Sequence, residues 1–319
     1  MTRRLPLWKC LRGTVCRRAM ITQIDEILIL LSASDTFNKL NIGRTLKESL
    51  NKMLPSILDT AAKNSRSVRV YVMTAFGCPY TGKISIEDIV QLLLKLSYMG
   101  ASEVVLVDST GMANPRSVQS TLRILLDLQL DINLAVHFHN TRGAAIANCV
   151  AAYDAGVRIF DTSLGGMSAT PYGVSELDIG CWNVPTEDLV HLFEEMGVKT
   201  GVDLEKLLDC VRLAEQMAGM HLPGHLLRAG RSSQIVGIPK HLERHQIMDK
   251  KIGGVLKTAS MLIFKSADVY FVYTLQFQSF LDLFEHGLFS LIVWSVHQAE
   301  PAGDAEGLQS VVLVLDQDR

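Results

Sequence analysis

Short apolar runs alternate with longer amphipathic ones from about residue 26 to residue 220. The short runs are Ile27–Leu31, Val68–Met73, Glu103–Val107, Ile132–His137 and Val157–Asp161, all rich in β-branched residues. Such runs predict strands buried on both faces. The longer runs carry helix signals. Thr45 and Glu48 have capping-box spacing, and Asn114-Pro115 places an N-cap before a proline in the first helical position. Ser85 opens a run with Ile86, Ile89, Val90 and Leu93 on one face, closed by Gly100. Thr186 to Met196 sets Leu189, Leu192, Phe193 and Met196 at helical spacing, with Glu187 and Asp188 in the first turn. Pro55 is expected to kink or split the 45–63 helix.

Repeated βα units of this length imply parallel strands joined by right-handed crossovers. Both a doubly wound open sheet and a (β/α)8 barrel satisfy the pattern. Five strands are legible where a barrel has eight. The first and last would then expose pairing edges, to be covered by a second copy or by the tail, unless the chain is a defective fragment.

The pattern changes after about residue 237. Six of the eleven phenylalanines fall between 264 and 289, and no βα alternation continues there. The uncharged runs 269–281 and 286–297 are too short to cross a bilayer as helices. The organisation expected is a basic N-terminal segment 1–25, a partial barrel domain 26–237, and an atypical aromatic tail 238–319. That tail is read either as an amphipathic docking segment or as a foreign, poorly ordered one. Before Asp25 the chain carries Arg3, Arg4, Lys9, Arg12, Arg17 and Arg18 and no acid, the composition of a mitochondrial leader or of a basic surface helix.

With 319 residues, 48% of them hydrophobic, the chain can bury a large core, and a net charge of −2 gives no field that favours nucleic acid. The six cysteines form no CxxC pair, as expected of free thiols in a reducing compartment. A soluble, intracellular protein of the mitochondrial matrix or cytoplasm is expected, with no nucleic-acid or membrane partner.

The chemistry concentrates at strand ends. His137-Phe138-His139-Asn140 ends the run that begins at Ile132. Positions i and i+2 of a strand point to one face, so both imidazoles are expected to project together where parallel α/β proteins place their sites. Neutral imidazole is also a common divalent-metal ligand. Asp108 ends the preceding strand, either as a catalytic carboxylate or as a cap on the next turn. Asp161-Thr162-Ser163 leads into a glycine-rich loop, Gly165 to Gly173, able to approach a ligand closely. Asn183 is a turn residue, or a hard amide ligand if the fold brings it to the histidines. Cys78 is read as a small buried hydrophobe.

In this order the motifs resemble the 3-hydroxy-3-methylglutaryl-CoA lyase family, metal-dependent TIM-barrel lyases and synthases. The resembling stretches are Ala75–Tyr80 with Gly82–Ser85, Asp108–Gly111, Ala135–Thr141, Ala147-Asn148, Asn183–Val190 and Gly201–Leu208, within about residues 11–235. The resemblance implies a magnesium or manganese ion on His137, His139 and Asn183. It also implies proton transfer assisted by His137 and Asp108, with Glu187 in support. The implied reaction is a retro-Claisen cleavage of a 3-hydroxy-acyl-CoA to acetyl-CoA and acetoacetate or a related oxo acid. An acyl-CoA substrate is the implied partner, and a homodimer is the partner expected if the exposed strand edges pair with a second copy. The chain departs from the family pattern in three places. No strand carries the family's Arg-Asp-Gly motif, so strands one to three are expected to be missing. Thr170 stands where the family has a cysteine before Pro-Tyr, and Cys181, on a slightly longer following segment, is its candidate substitute. An isopropylmalate- or citramalate-type condensing synthase and a catalytically inactive fragment are the alternatives.

Overall fold

The computed structural model describes Trp8–Lys9, residues 26–167 and 182–235, and three later strands. Strands β2 (Glu26–Ser32), β3 (Ser67–Met73), β4 (Glu103–Asp108), β5 (Asn133–Phe138) and β6 (Ile159–Thr162) fall within two residues of the runs read from the sequence. They pair in chain order, all parallel. Two further strands, not expected, extend the sheet. β1 (Trp8–Lys9) pairs parallel with β2, and β9 (Val311–Val314) pairs antiparallel with β6. The edge of β6 is thus covered by the tail, one of the three readings of that edge.

The chain forms two compact units, Met1–Arg231 with Glu306–Arg319, and Ser232–Ala305. In the second, β7 (Ala259–Ser266) and β8 (Val269–Gln276) form an antiparallel pair.

The distribution of side chains decides between the two architectures. Ile27, Ile29, Leu31, Val70, Val72, Val104, Leu106, Val136 and Phe160 form one core with helix residues such as Ile57, Leu93, Leu122 and Phe193. Those helices are α3 (Leu54–Lys63), α4 (Ile86–Tyr98), α5 (Pro115–Leu126) and α7 (Thr186–Glu195), joined by α6 (Ala145–Ala155). The alternate positions Leu28, Leu30, Tyr71, Met73, Val105, Val107 and Ala135 form a second cluster on the opposite face. A doubly wound sheet carries crossover helices on both faces, whereas a barrel keeps them outside. Here they share one face, so the fold is of the TIM-barrel type, with the second cluster lining its interior.

Local signals behave as the sequence implies. Thr45 and Glu48 close a reciprocal capping box on α2 (Leu46–Glu48), each backbone bond 3.0 Å long. Pro55 splits the helix: a π-helical turn, Ser49–Met53, precedes α3, whose first turn takes Pro55 where no N–H is needed. Helix α1 (Asp35–Ile42), capped by Ser34 and packed through Phe37, is an addition to the sequence reading.

Candidate active site

His137 is the fifth residue of β5, and His139 lies just beyond the strand. Both are buried, and their ring centroids are 5.1 Å apart in an edge-to-face arrangement. The two imidazoles therefore share a face, as the alternation requires. Asn183 reaches them from the segment before α7. It forms an antiparallel bridge with His139, its N–H donates to Gly166 O (3.0 Å), and its Nδ2 donates to Met167 O (2.8 Å). The amide group is thereby fixed with Oδ1 left over.

Among the described residues His137 Nδ1, His139 Nδ1 and Asn183 Oδ1 are buried without a hydrogen-bond partner. Each such atom costs about 1–3 kcal/mol. Three of them in one place mark a site for something that binds electron-pair donors. No three His, Cys, Asp or Glu side chains converge as a metal site among the described residues, so the candidate donors are two imidazoles and one carboxamide.

Burial pushes the His137 pKa down to about 4. The Asn183 side chain and the Asp161 carbonyl pull upward, and the charge of Arg69 adds to the lowering. His139 falls to about 3, through burial and then the neighbouring His137. Both rings are neutral near pH 7, the form that binds a cation.

Asp108 ends β4, next to β5, and its backbone oxygen accepts from His139 N–H (3.3 Å). Its carboxylate accepts from Met112 N–H and Ala113 N–H, both at 2.9 Å, so it caps the following turn. Burial raises its pKa against those hydrogen bonds. Glu187 lies in the first turn of α7, where its Oε2 accepts from Gly165 N–H (3.0 Å). No hydrogen bond or ion pair links it to the histidines among the described residues. Thr170 and Cys181 lie outside the described residues. Cys78 is buried, as expected, and donates to Ser34 Oγ (3.2 Å).

Three residues beneath the histidines escaped the sequence reading. Arg69 on β3 is wholly buried, paired with Glu103 and, at 2.7 Å, with Asp161 on β6. The Tyr71 hydroxyl donates to the other Asp161 oxygen, and its ring centroid is 6.0 Å from that of His137. Asp161 was seen only as a strand end. The signal was an arginine inside an apolar strand, two residues from a tyrosine, on the inward face.

Residues 2–214 match the HMGL-like family model. A hydroxymethylglutaryl-CoA lyase of Bacillus subtilis is 39% identical over 66% of this chain and 69% of its own length. The (R)-citramalyl-CoA lyase of Chloroflexus aurantiacus is 36% identical over 65% and 64%, and the human mitochondrial hydroxymethylglutaryl-CoA lyase 38% over 60% and 57%. The chain thus spans between just over half and about two thirds of these relatives. Among solved structures, the Bacillus subtilis lyase superposes with TM-score 0.66 at 37% identity over 70% of this chain and 73% of that one. An HMG-CoA lyase from Acinetobacter baumannii, solved with coenzyme A and 3-methylmalate, gives TM-score 0.67 at 33% identity over 73% of this chain and 74% of that one. No helix among the described residues is long and apolar enough to cross a membrane. The TIM-barrel face carrying the paired histidines and these likenesses agree: the chain belongs to the HMGL-like family, among the carbon–carbon lyases of hydroxymethylglutaryl-CoA type.

Proposed function

We propose that the chain cleaves a 3-hydroxy-acyl-CoA into acetyl-CoA and an oxo acid, with magnesium or manganese held by His137, His139 and Asn183. The observation that carries this reading is the convergence of three unpartnered buried donors at one end of the barrel. They fit a divalent cation, since two neutral imidazoles and an amide oxygen need no proton removed before binding. A bound cation would polarise the substrate oxygens as a Lewis acid.

The protein's own groups do the rest. With one ring nitrogen of His137 committed to the cation, His137 orients the 3-hydroxyl, and Asp108 is the candidate base that takes its proton as the carbon–carbon bond breaks. The electron pair of that bond passes to the acyl-CoA carbon as an enolate, and a proton delivered there yields acetyl-CoA. Cys181 is the candidate donor, because the hydroxyl of Thr170 has a far higher pKa than a thiol. Asp108 holds the loop beside His139 through its two backbone hydrogen bonds, and its raised pKa suits it to shuttle a proton. Glu187 supports the turn at Gly165 rather than the reacting atoms.

The test is a manganese titration of the purified chain, with acetyl-CoA release followed from hydroxymethylglutaryl-CoA and from citramalyl-CoA. Cation-dependent release from either supports the reading, and the preferred substrate identifies the acyl group. Acetyl-CoA consumption with a 2-oxo acid would indicate the condensing synthase instead. Absence of all three, with manganese unbound, would identify an inactive chain. Unchanged turnover in Cys181→Ser removes the proposed donor.

A further inference from the structure

The loop between β4 and α5, residues 109–114, is buried apart from Met112 and Asn114. A buried loop must find partners for its backbone N–H and C=O groups. Its amides turn to Asp108: Met112 N–H and Ala113 N–H donate to the two carboxylate oxygens, each at 2.9 Å. Its carbonyls turn to the segment that follows β5. Arg142 Nη1 donates to Thr110 O (2.6 Å) and Gly111 O (3.3 Å), and Asn148 Nδ2, on α6, donates to Ala113 O (3.3 Å). The two segments also meet backbone to backbone. Gly111 has φ +65°, and a Cβ there would stand 3.0 Å from Thr141 Cβ and 3.1 Å from the His139 carbonyl oxygen. Only glycine admits both that conformation and that approach. Packing explains neither donor. Asn148 is wholly buried with Oδ1 unpartnered among the described residues, where an apolar side chain would leave nothing unpaired. Arg142 is exposed and forms no ion pair among the described residues, so the two loop carbonyls are what hold it.

We propose that Arg142 is a positioning residue for the cleavage: with Asn148 as a second strut, it clamps the loop that fixes the Asp108 carboxylate onto the strand end carrying His137 and His139. A base must lie within hydrogen-bond reach of the proton it takes, and a misplacement of about 1 Å can cost about a hundredfold in rate. Asp108 is wholly buried, so the loop amides that hold its oxygens also decide where they point. Whatever fixes the loop therefore fixes the base. The positioning part of this proposal rests on the reading of Asp108 as the base in the proposed cleavage. The clamp itself does not.

The experiment compares the full chain with Arg142→Met and Arg142→Lys. Hydrogen exchange at the Met112 and Ala113 amides, followed by mass spectrometry without metal or substrate, should be about tenfold or more faster in Arg142→Met, as loss of a charge-assisted hydrogen bond implies. With manganese saturating, the same variant should lose about tenfold or more in kcat for acetyl-CoA release, while KM and manganese affinity stay within about twofold. Arg142→Lys keeps a cationic donor without the planar fork and should fall between the two. Near-ultraviolet circular dichroism establishes that each variant is folded, and Arg142→Lys decides alone if Arg142→Met is not. Unchanged amide exchange overturns the clamp. Faster exchange with kcat retained, or a loss of activity matched by weaker manganese binding, overturns the positioning role. If wild type releases no acetyl-CoA with manganese, the reading of the reaction falls and the positioning part with it, while amide exchange still decides the clamp.

Discussion

The carboxyl of Glu187 occupies the space over the Cα of Gly224: a Cβ there would lie 2.0 Å from Oε1 and 3.1 Å from Cδ. The other oxygen is tied to Gly165 N–H, so the side chain cannot simply swing aside. Gly224→Ala should therefore destabilise the protein by about 1–3 kcal/mol, as overpacking of a filled interior does. In a Glu187→Ala background the same change should cost under about 0.5 kcal/mol. Urea unfolding of the four proteins completes the cycle, and equal costs in both backgrounds would contradict the contact.

Glu187 also makes stability depend on pH. Burial raises its pKa from 4.5 to about 7, against hydrogen bonds that lower it and with the carboxyls of Asp188 and Glu215 adding to the rise. The folded protein then binds this proton more tightly than the unfolded chain. Stability is complete below the unfolded pKa and declines as pH rises through about 7. The loss is on the order of 3 kcal/mol by pH 8. Glu187→Gln should flatten the profile between pH 5 and 8, measured by urea midpoints. A wild-type profile with no decline over that interval would remove the assignment.

The five central strands were legible because each is a short β-branched run between glycine, proline and capping signals. α1 was not, although Ser34 caps it, because only Phe37 and Asn38 of its eight residues are buried and no apolar period shows. β1 and β9 went unread for different reasons. β1 is two residues long and exists through pairing with Ile27–Leu28, so nothing local marks it. β9 is a β-branched run, Val311–Val314, but it stands in the tail where no βα alternation continues, and only its pairing with Ile159–Thr162 assigns it to the sheet.

The site divides in the same way. His137 and His139 could be read from i, i+2 spacing, and Asn183 only from the family likeness, since the bridge to His139 spans 44 residues. The Arg69 network went unread although its charges stand inside apolar runs, because its members lie on three different strands. Their inner positions emerge only when Arg69, Glu103 and Asp161 are set side by side by the sheet.

Arg69→Met tests that network as a structural element. It removes the buried cation that pairs with both Glu103 and Asp161. The expected cost is about 3–5 kcal/mol. The triple variant Arg69→Met, Glu103→Leu, Asp161→Leu should recover most of that stability, because it buries no charge. Thermal melts of both variants decide the matter, and a single variant as stable as wild type would mean that the carboxylates are not desolvated.

β9 gives a prediction about assembly. All four residues of β6 are paired by Val311–Val314, antiparallel, on the side away from β5. Without β9 that edge would present unpaired N–H and C=O groups, a template for another chain. A chain ending at residue 305 should form dimers or larger species that wild type does not form at equal concentration. Light scattering coupled to size exclusion measures this directly. The pairing also lies beside the site, because Val312 is the partner of Asp161. Proline at residue 312 removes one backbone donor at that position and should disturb the edge more mildly than truncation. If the shortened chain keeps the wild-type mass distribution, β9 is not what protects the edge of β6.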